Sequence, residues 1–152
     1  MEARIKGQNI SIENPVYFFF DKDGTLIDAH NYWIKMTRLR VKLVLKALNS
    51  EDNFLKEQLE NNLGVDLRKN KMKKDGPTGV KPRHFNMEVV LETVKSMGLE
   101  ISLAEIGNIF DTTDDISSNR ISDYLKTLPQ AENLIKQLFN KGIKLALISN
   151  DI

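Results

Sequence analysis

Residues 16–28 read VYFFFDKDGTLID. A β-branched and aromatic run, preceded by Asn14-Pro15, stops at two carboxylates one residue apart and turns at once through Gly24-Thr25. The run predicts a buried strand over residues 16–20. This constrains the fold strongly, because an unbroken apolar strand belongs to a sheet covered on both faces. A second segment near the other end repeats the pattern: KLALI, residues 144–148, runs into Ser149, Asn150 and Asp151. It follows a helical segment directly, in αβ order. If the two strands are parallel neighbours, their carboxyl ends share one rim, where open α/β sheets carry their sites. Asp21, Asp23 and Ser149 then converge although they are far apart in the chain.

Between the strands the apolar period is helical. From about Asn31, Trp33, Met36, Leu39/Arg40, Leu43/Val44 and Ala47/Leu48 recur at three- and four-residue steps. A second helix is expected from Asp52 to Leu63, ending at Gly64. The stretch RKNKMKKDGPTGVKP, residues 68–82, predicts a loop. Two further helices are expected over 85–97 and 102–110, the second opened by Ser102 with Glu105 three residues on, a capping box. Pro129 is expected to start a last helix that Gly142 ends. The spacing contains no internal repeat.

Composition removes several function classes. A chain of 152 residues suits one domain, or a small core with an insertion. Its net charge of +1 gives no electrostatic case for nucleic acid as a partner. The absence of cysteine excludes disulfides and thiolate metal sites. MEARIKGQNI lacks the apolar region of a signal peptide, and no run of apolar residues is long enough to span a bilayer. A soluble, cytoplasmic protein without a membrane partner is expected.

The acid pair sets the chemistry. One carboxylate can serve as nucleophile or metal ligand while the other moves a proton. Two oxygen donors suit a hard divalent cation such as Mg2+. Thr25, Ser149 and the backbone amides beyond Asp21 offer donors to phosphate oxygens. The simpler reading is a solvated Asp-Gly turn, which short motifs often are. An EF-hand loop fails on spacing, since glycine stands at its fourth position and Tyr32 at its twelfth. Elsewhere, Lys81, Arg83 and His84 are anion-binding candidates on a loop whose glycine pair is expected to lend mobility. A solvated basic loop is the simpler account of them. Tyr32 and Trp33 suit a core or a hinge, and His30 a hinge or surface position.

FFFDKDGTLID resembles the first signature of the haloacid dehalogenase superfamily, an apolar strand followed by DxDGT. LALISND resembles its second, a strand ending in Ser or Thr. The helical insert between them resembles the phosphoglycolate phosphatase and β-phosphoglucomutase branch. The resemblance implies an α/β fold: a Rossmann-type parallel-sheet core from residues 1–28 and 125–152, incomplete here, with an inserted α-helical cap over 29–124. It implies a phosphatase acting on a small phosphorylated metabolite through an aspartyl-phosphate. Asp21 would be the nucleophile and a Mg2+ ligand, and Asp23 the general acid/base, with its backbone carbonyl also reaching the Mg2+. Thr25, Ser149 and the Asn150 amide would bind the phosphoryl group, and the cap would close over the leaving group, with Lys81 and Arg83 as candidate contacts. A second acid at Asp23 separates the chain from the P-type ATPases, which carry Thr there, and from the dehalogenases, which lack it. Phosphomutase chemistry uses the same pair and stays open.

The family's later Lys and metal-completing acids lie beyond its second signature, and the sequence stops at Ile152. The resemblance therefore implies an N-terminal piece, inactive by itself. Its bare sheet edge is expected to self-associate or to pair with a complementary C-terminal fragment. The alternative is a pseudoenzyme, a partner-binding module on the same fold.

Overall fold

Residues 17–21 and 144–148 form neighbouring parallel strands in the computed structural model, which describes residues 2–5, 10–66 and 68–149. In chain order the elements are β1 (Glu2–Ile5), β2 (Ile10–Glu13), β3 (Tyr17–Asp21), α1 (Ala29–Ala47), α2 (Asn53–Asn62), β4 (Val65–Asp66), β5 (Lys71–Met72), α3 (Arg83–Ser96), α4 (Leu103–Asn119), α5 (Ile121–Tyr124), α6 (Ala131–Asn140) and β6 (Lys144–Ile148). They divide into two compact units: residues 1–28 with 127–152, and residues 29–126.

The sheet unit rests on β3 and β6. Tyr17 stands opposite Lys144 and Asp21 opposite Ile148, so Ser149 lies one residue beyond the partner of Asp21. Side chains alternate across a strand. Tyr17 and Phe19 stack on one face, with ring centroids 6.3 Å apart, and Phe18 and Phe20 on the other, 6.2 Å apart. Helix α6 packs against β6. Its start differs from expectation. Gln130 takes a left-handed φ of 68°, which holds Pro129 in the preceding turn and delays the helix to Ala131. The antiparallel hairpin β1–β2 is an element that the sequence pattern did not announce.

The helical unit packs α1 to α4 around one core. Val44, Leu59, Leu63, Val94, Ile106 and Phe110 are all fully buried there. Local chemistry sets the helix ends. Asp52 caps α2 by accepting from the amides of Phe54 (2.7 Å) and Leu55 (3.4 Å). The Ser102–Glu105 capping box opens α4 as expected. Helix α4 then runs nine residues past Phe110, through DTTDDISSN. Those residues are poor helix formers, and tertiary burial overrides their propensity. Thr113 and Ser117 are buried, and their hydroxyls donate to the carbonyls of Ile109 and Asp114.

Two expectations for residues 68–82 are corrected. The stretch is not all loop, because Lys71–Met72 pairs antiparallel with Val65–Asp66. The Asp66 carboxylate accepts from the amides of Arg68 and Lys69, both at 3.1 Å, and these bonds hold its pKa below the ordinary value. The second is that Gly76 and Gly79, expected only to lend mobility, have a packing reason. A Cβ on Gly76 would stand 2.7 Å from the Gly64 Cα, and one on Gly79 2.7 Å from the Trp33 indole nitrogen. Both glycines permit close approach, and Gly79 also needs its φ of +78°. Thr78 is buried and donates to Asn86, whose amide in turn donates to the carbonyls of Lys81 and Pro82.

Candidate functional site

The turn after β3 is built from its own backbone. The Lys22 carbonyl accepts from both Leu26 (3.0 Å) and Ile27 (3.1 Å), and the Gly24 amide donates to Ile27 (3.0 Å). Gly24 sits at φ +77° with no atom within 4 Å of a would-be Cβ, so glycine is needed there for conformation alone. Ile27 is buried, bridges to Asp23 on one side and Thr127 on the other, and anchors the turn. The Leu128 amide adds a 2.8 Å bond to the Leu26 carbonyl.

This scaffold gives each acid a different neighbour. The Thr25 hydroxyl donates to Asp21 Oδ2 at 3.3 Å, while the Lys22 ammonium lies 3.6 Å from Asp23 Oδ2. Asp21 ends β3 and is exposed, and Ser149 follows β6 on the same rim. Asn150 lies outside the described residues. A hollow of about 270 Å³ opens beside Thr25, walled by Pro129 and the first turns of α6. A larger groove of about 900 Å³ lies in the helical unit between α1 and α2, and no residue of the acid turn lines it.

Lys81 and Arg83 differ in their surroundings. Lys81 is exposed, with its ammonium 6.0 Å from the centre of the Phe85 ring. Arg83 is engaged within its own unit. It donates to Asp111 at 2.6 Å, to Asp114 at 2.8 Å and to the Gly107 carbonyl at 3.2 Å. It also lies over the Phe110 ring, whose centre Arg40 approaches at 4.3 Å. Burial pushes the Arg40 guanidinium pKa down, and Asp114 pulls it back. The geometry of Arg83 is therefore that of a structural cation, which an incoming anion would have to win from two carboxylates.

The Asp21 carboxylate and the Asp23 backbone carbonyl are hard oxygen donors of the kind that hold Mg2+, with water and phosphate completing the shell. The donor chemistry fits such an ion as part of a shell. Among the described residues no group of three or more His, Asp or Glu side chains is placed to hold a metal. Sequence reasoning passed over Lys22, whose contact with Asp23 Oδ2 appears only in the fold.

Residues 17–152 match the haloacid dehalogenase-like hydrolase family, and the chain belongs to it. No curated protein matches the chain significantly. Among solved structures it is similar to a predicted phosphoglycolate phosphatase from Haemophilus somnus 129PT, with a TM-score of 0.51 and 14% identity. That match covers 90% of this chain and 52% of the other, so the chain spans about half the length of its structural neighbour. The likeness is one of fold: an HAD-like α/β arrangement with a small parallel sheet. No helix among the described residues is long and apolar enough to cross a membrane.

Proposed function

We propose that the protein is a Mg2+-dependent phosphomonoesterase acting in the cytoplasm on a small phosphorylated metabolite. The observation that carries this is the differentiated acid pair at the carboxyl end of β3, beside the end of β6. Asp21 attacks phosphorus and the bond to the leaving oxygen breaks, with Asp23 donating the proton that oxygen needs. Asp23, now ionised, takes a proton from water as the water attacks. The Asp21–phosphorus bond breaks, phosphate leaves and Asp23 is protonated again. Thr25 and Ser149 donate to the phosphoryl oxygens, joined by the Asn150 amide. The Asp21 carboxylate and the Asp23 backbone carbonyl would hold Mg2+, which when bound supplies positive charge against the phosphate oxygens. The helical unit, residues 29–126, serves as the cap, with Lys81 as its more available cation. Hydrolysis of an aryl phosphate tests the assignment. Asp21→Asn is expected to abolish it, and retention of more than about a tenth of wild-type turnover would sink the nucleophile.

The lack of a third metal-capable side chain among the described residues favours a second reading, a non-catalytic module that binds a partner. On either reading the exposed apolar surface of the sheet unit takes a second copy or a complementary segment. Mg2+ affinity separates the two. The half shell predicts millimolar binding, on the order of 4 kcal/mol, and none at all would favour the module.

A further inference from the structure

The hollow of about 270 Å³ beside Thr25 is walled without a charged side chain. Its polar groups are the Thr25 hydroxyl and the carboxamides of Gln130, Asn133 and Gln137, while Pro129 and Leu134 supply apolar surface. Thr25 ties it to the acid turn, because the same hydroxyl donates to Asp21 Oδ2 at 3.3 Å. Glu132 and Lys136 line a neighbouring hollow instead, of about 400 Å³, where Glu132 accepts from the Thr127 hydroxyl at 3.1 Å. A second observation singles out Gln130. Of the four non-glycine residues with positive φ among those described, the other three are asparagines, which the left-handed region tolerates well. Gln130 sits there at φ 68° without a side-chain cap for α6, so neither the turn nor the helix start calls for glutamine. Gln137 donates to the Asn133 side-chain oxygen at 3.3 Å. That bond orients both carboxamides and leaves the Asn133 N–H groups and the Gln137 carbonyl for a ligand.

We propose that this hollow receives the leaving group and selects a neutral polyol over a second acid. The inference rests on the phosphatase reading and names the class of ester that the site takes, the phosphate of a small polyhydroxylated alcohol. A hydroxyl both donates and accepts, and a carboxamide offers it both partners. A carboxylate only accepts, so the Gln137 carbonyl would face it unpaired, and no cation in the wall replaces the water it gives up. The volume lies just under the roughly 300–1,000 Å³ of drug-sized ligand sites, so the group is small. Gln130, Asn133 and Gln137 are then specificity residues, and the left-handed glutamine has its use in the carboxamide it presents.

The test is an NMR titration of the full chain with Mg2+ present, using inorganic phosphate, glycerol phosphate and phosphoglycerate as probes. The two esters differ in one group, a terminal hydroxymethyl in the first and a carboxylate in the second. The backbone amides of residues 22–25 report on the acid turn, and the side-chain amides of Asn133 and Gln137 on the hollow. The wild type is expected to bind glycerol phosphate about three- to tenfold more tightly than phosphoglycerate. Gln130→Gly and Asn133→Ala should each reduce that preference and leave inorganic phosphate within about twofold of its wild-type affinity. Gln130→Gly carries its own control for folding, because glycine adopts the left-handed turn without strain and should not lower the melting temperature. A glutamine that served the turn alone would lose nothing in binding by that change. Equal affinity of the wild type for the two esters, or a preference that survives both variants, overturns the proposal. If inorganic phosphate leaves residues 22–25 unshifted, the reading of the site fails and the proposal with it. If the turn responds to all three probes and the preference is absent, only the role of the hollow is wrong.

Discussion

The helical unit buries its apolar core, and the sheet unit leaves much of its apolar surface exposed. Around α1 to α4, residues such as Leu59 and Phe110 are wholly removed from solvent. In the sheet unit, Ile27, Ala131, Leu138 and Ile143 are the buried apolar side chains among the described residues, while Phe19 is 62% and Phe139 71% exposed. The difference follows from what each architecture demands. A helix closes its backbone hydrogen bonds internally and needs one covered stripe. Parallel sheets are ordinarily covered on both faces, and among the described residues β3 and β6 pair only with each other. The residues with candidate chemistry stand on the less self-sufficient of the two units.

Truncation in each unit is the strongest way to break this contrast. Phe110→Ala is expected to cost about 3–5 kcal/mol, since it empties a closed core and removes the ring under Arg40. Phe139→Ala should cost about 0.5 kcal/mol or less, as an exposed side chain makes few packed contacts. Urea unfolding followed by circular dichroism measures both. Values within a kilocalorie of each other would show that the contrast in burial carries no energetic weight.

A smaller effect is expected from the charges inside the helical unit. Arg40 is almost fully buried, with Asp114 as its ion-pair partner at 3.3 Å. Asp114→Ala should destabilise by about 1–3 kcal/mol, less than for a fully buried pair because Asp114 itself is partly exposed. Replacing both residues, as in Arg40→Met with Asp114→Ala, should recover part of that loss by removing the stranded charge. A double variant weaker than Asp114→Ala by the full cost of the second change would contradict this.

The bare face of β3 sharpens the comparison from the other side. Tyr17 and Phe19 share that face, and Lys144 lies over the Tyr17 ring at 5.2 Å as its nearby charge. Phe19→Lys should weaken self-association of the chain at least tenfold, about 1.4 kcal/mol, because a charge on a sheet surface opposes pairing. Sedimentation velocity across a concentration series gives the answer. A wild-type chain monomeric throughout would remove self-association from the account.

What the sequence revealed, and what it hid, follows the same division between local and distant causes. The DxDGT turn, the start of the second helix near Asp52 and the Ser102–Glu105 box are written in nearby residues and were readable. So were β6, as an apolar run, and the core stripe of α1, whose period is strong. The second half of α4 was not, because Thr113 and Ser117 are held by burial that no local pattern encodes. The roles of Gly76 and Gly79 were hidden for a similar reason, since Gly64 and Trp33, which they approach, are distant in sequence. Lys22 was overlooked because only its contact with Asp23 distinguishes it from any surface lysine.

The smallest expected effect is a pH dependence at the start of α4. The Ser102 hydroxyl donates to the Glu105 carboxylate at 2.6 Å and the Ser102 amide at 2.9 Å, and together they hold the Glu105 pKa below its ordinary value. A carboxyl depressed in the folded state stabilises the fold above its unfolded pKa. That contribution is lost as pH falls through the unfolded value to the folded one, where the protonated acid no longer accepts both bonds. Glu105→Gln should remove this part of the acid sensitivity while keeping a weaker, neutral form of the cap. The two proteins should then differ most in melting temperature near neutral pH and converge in acid. A gap between them that stays constant from neutral pH down to acid would mean that the carboxylate charge adds nothing to the cap.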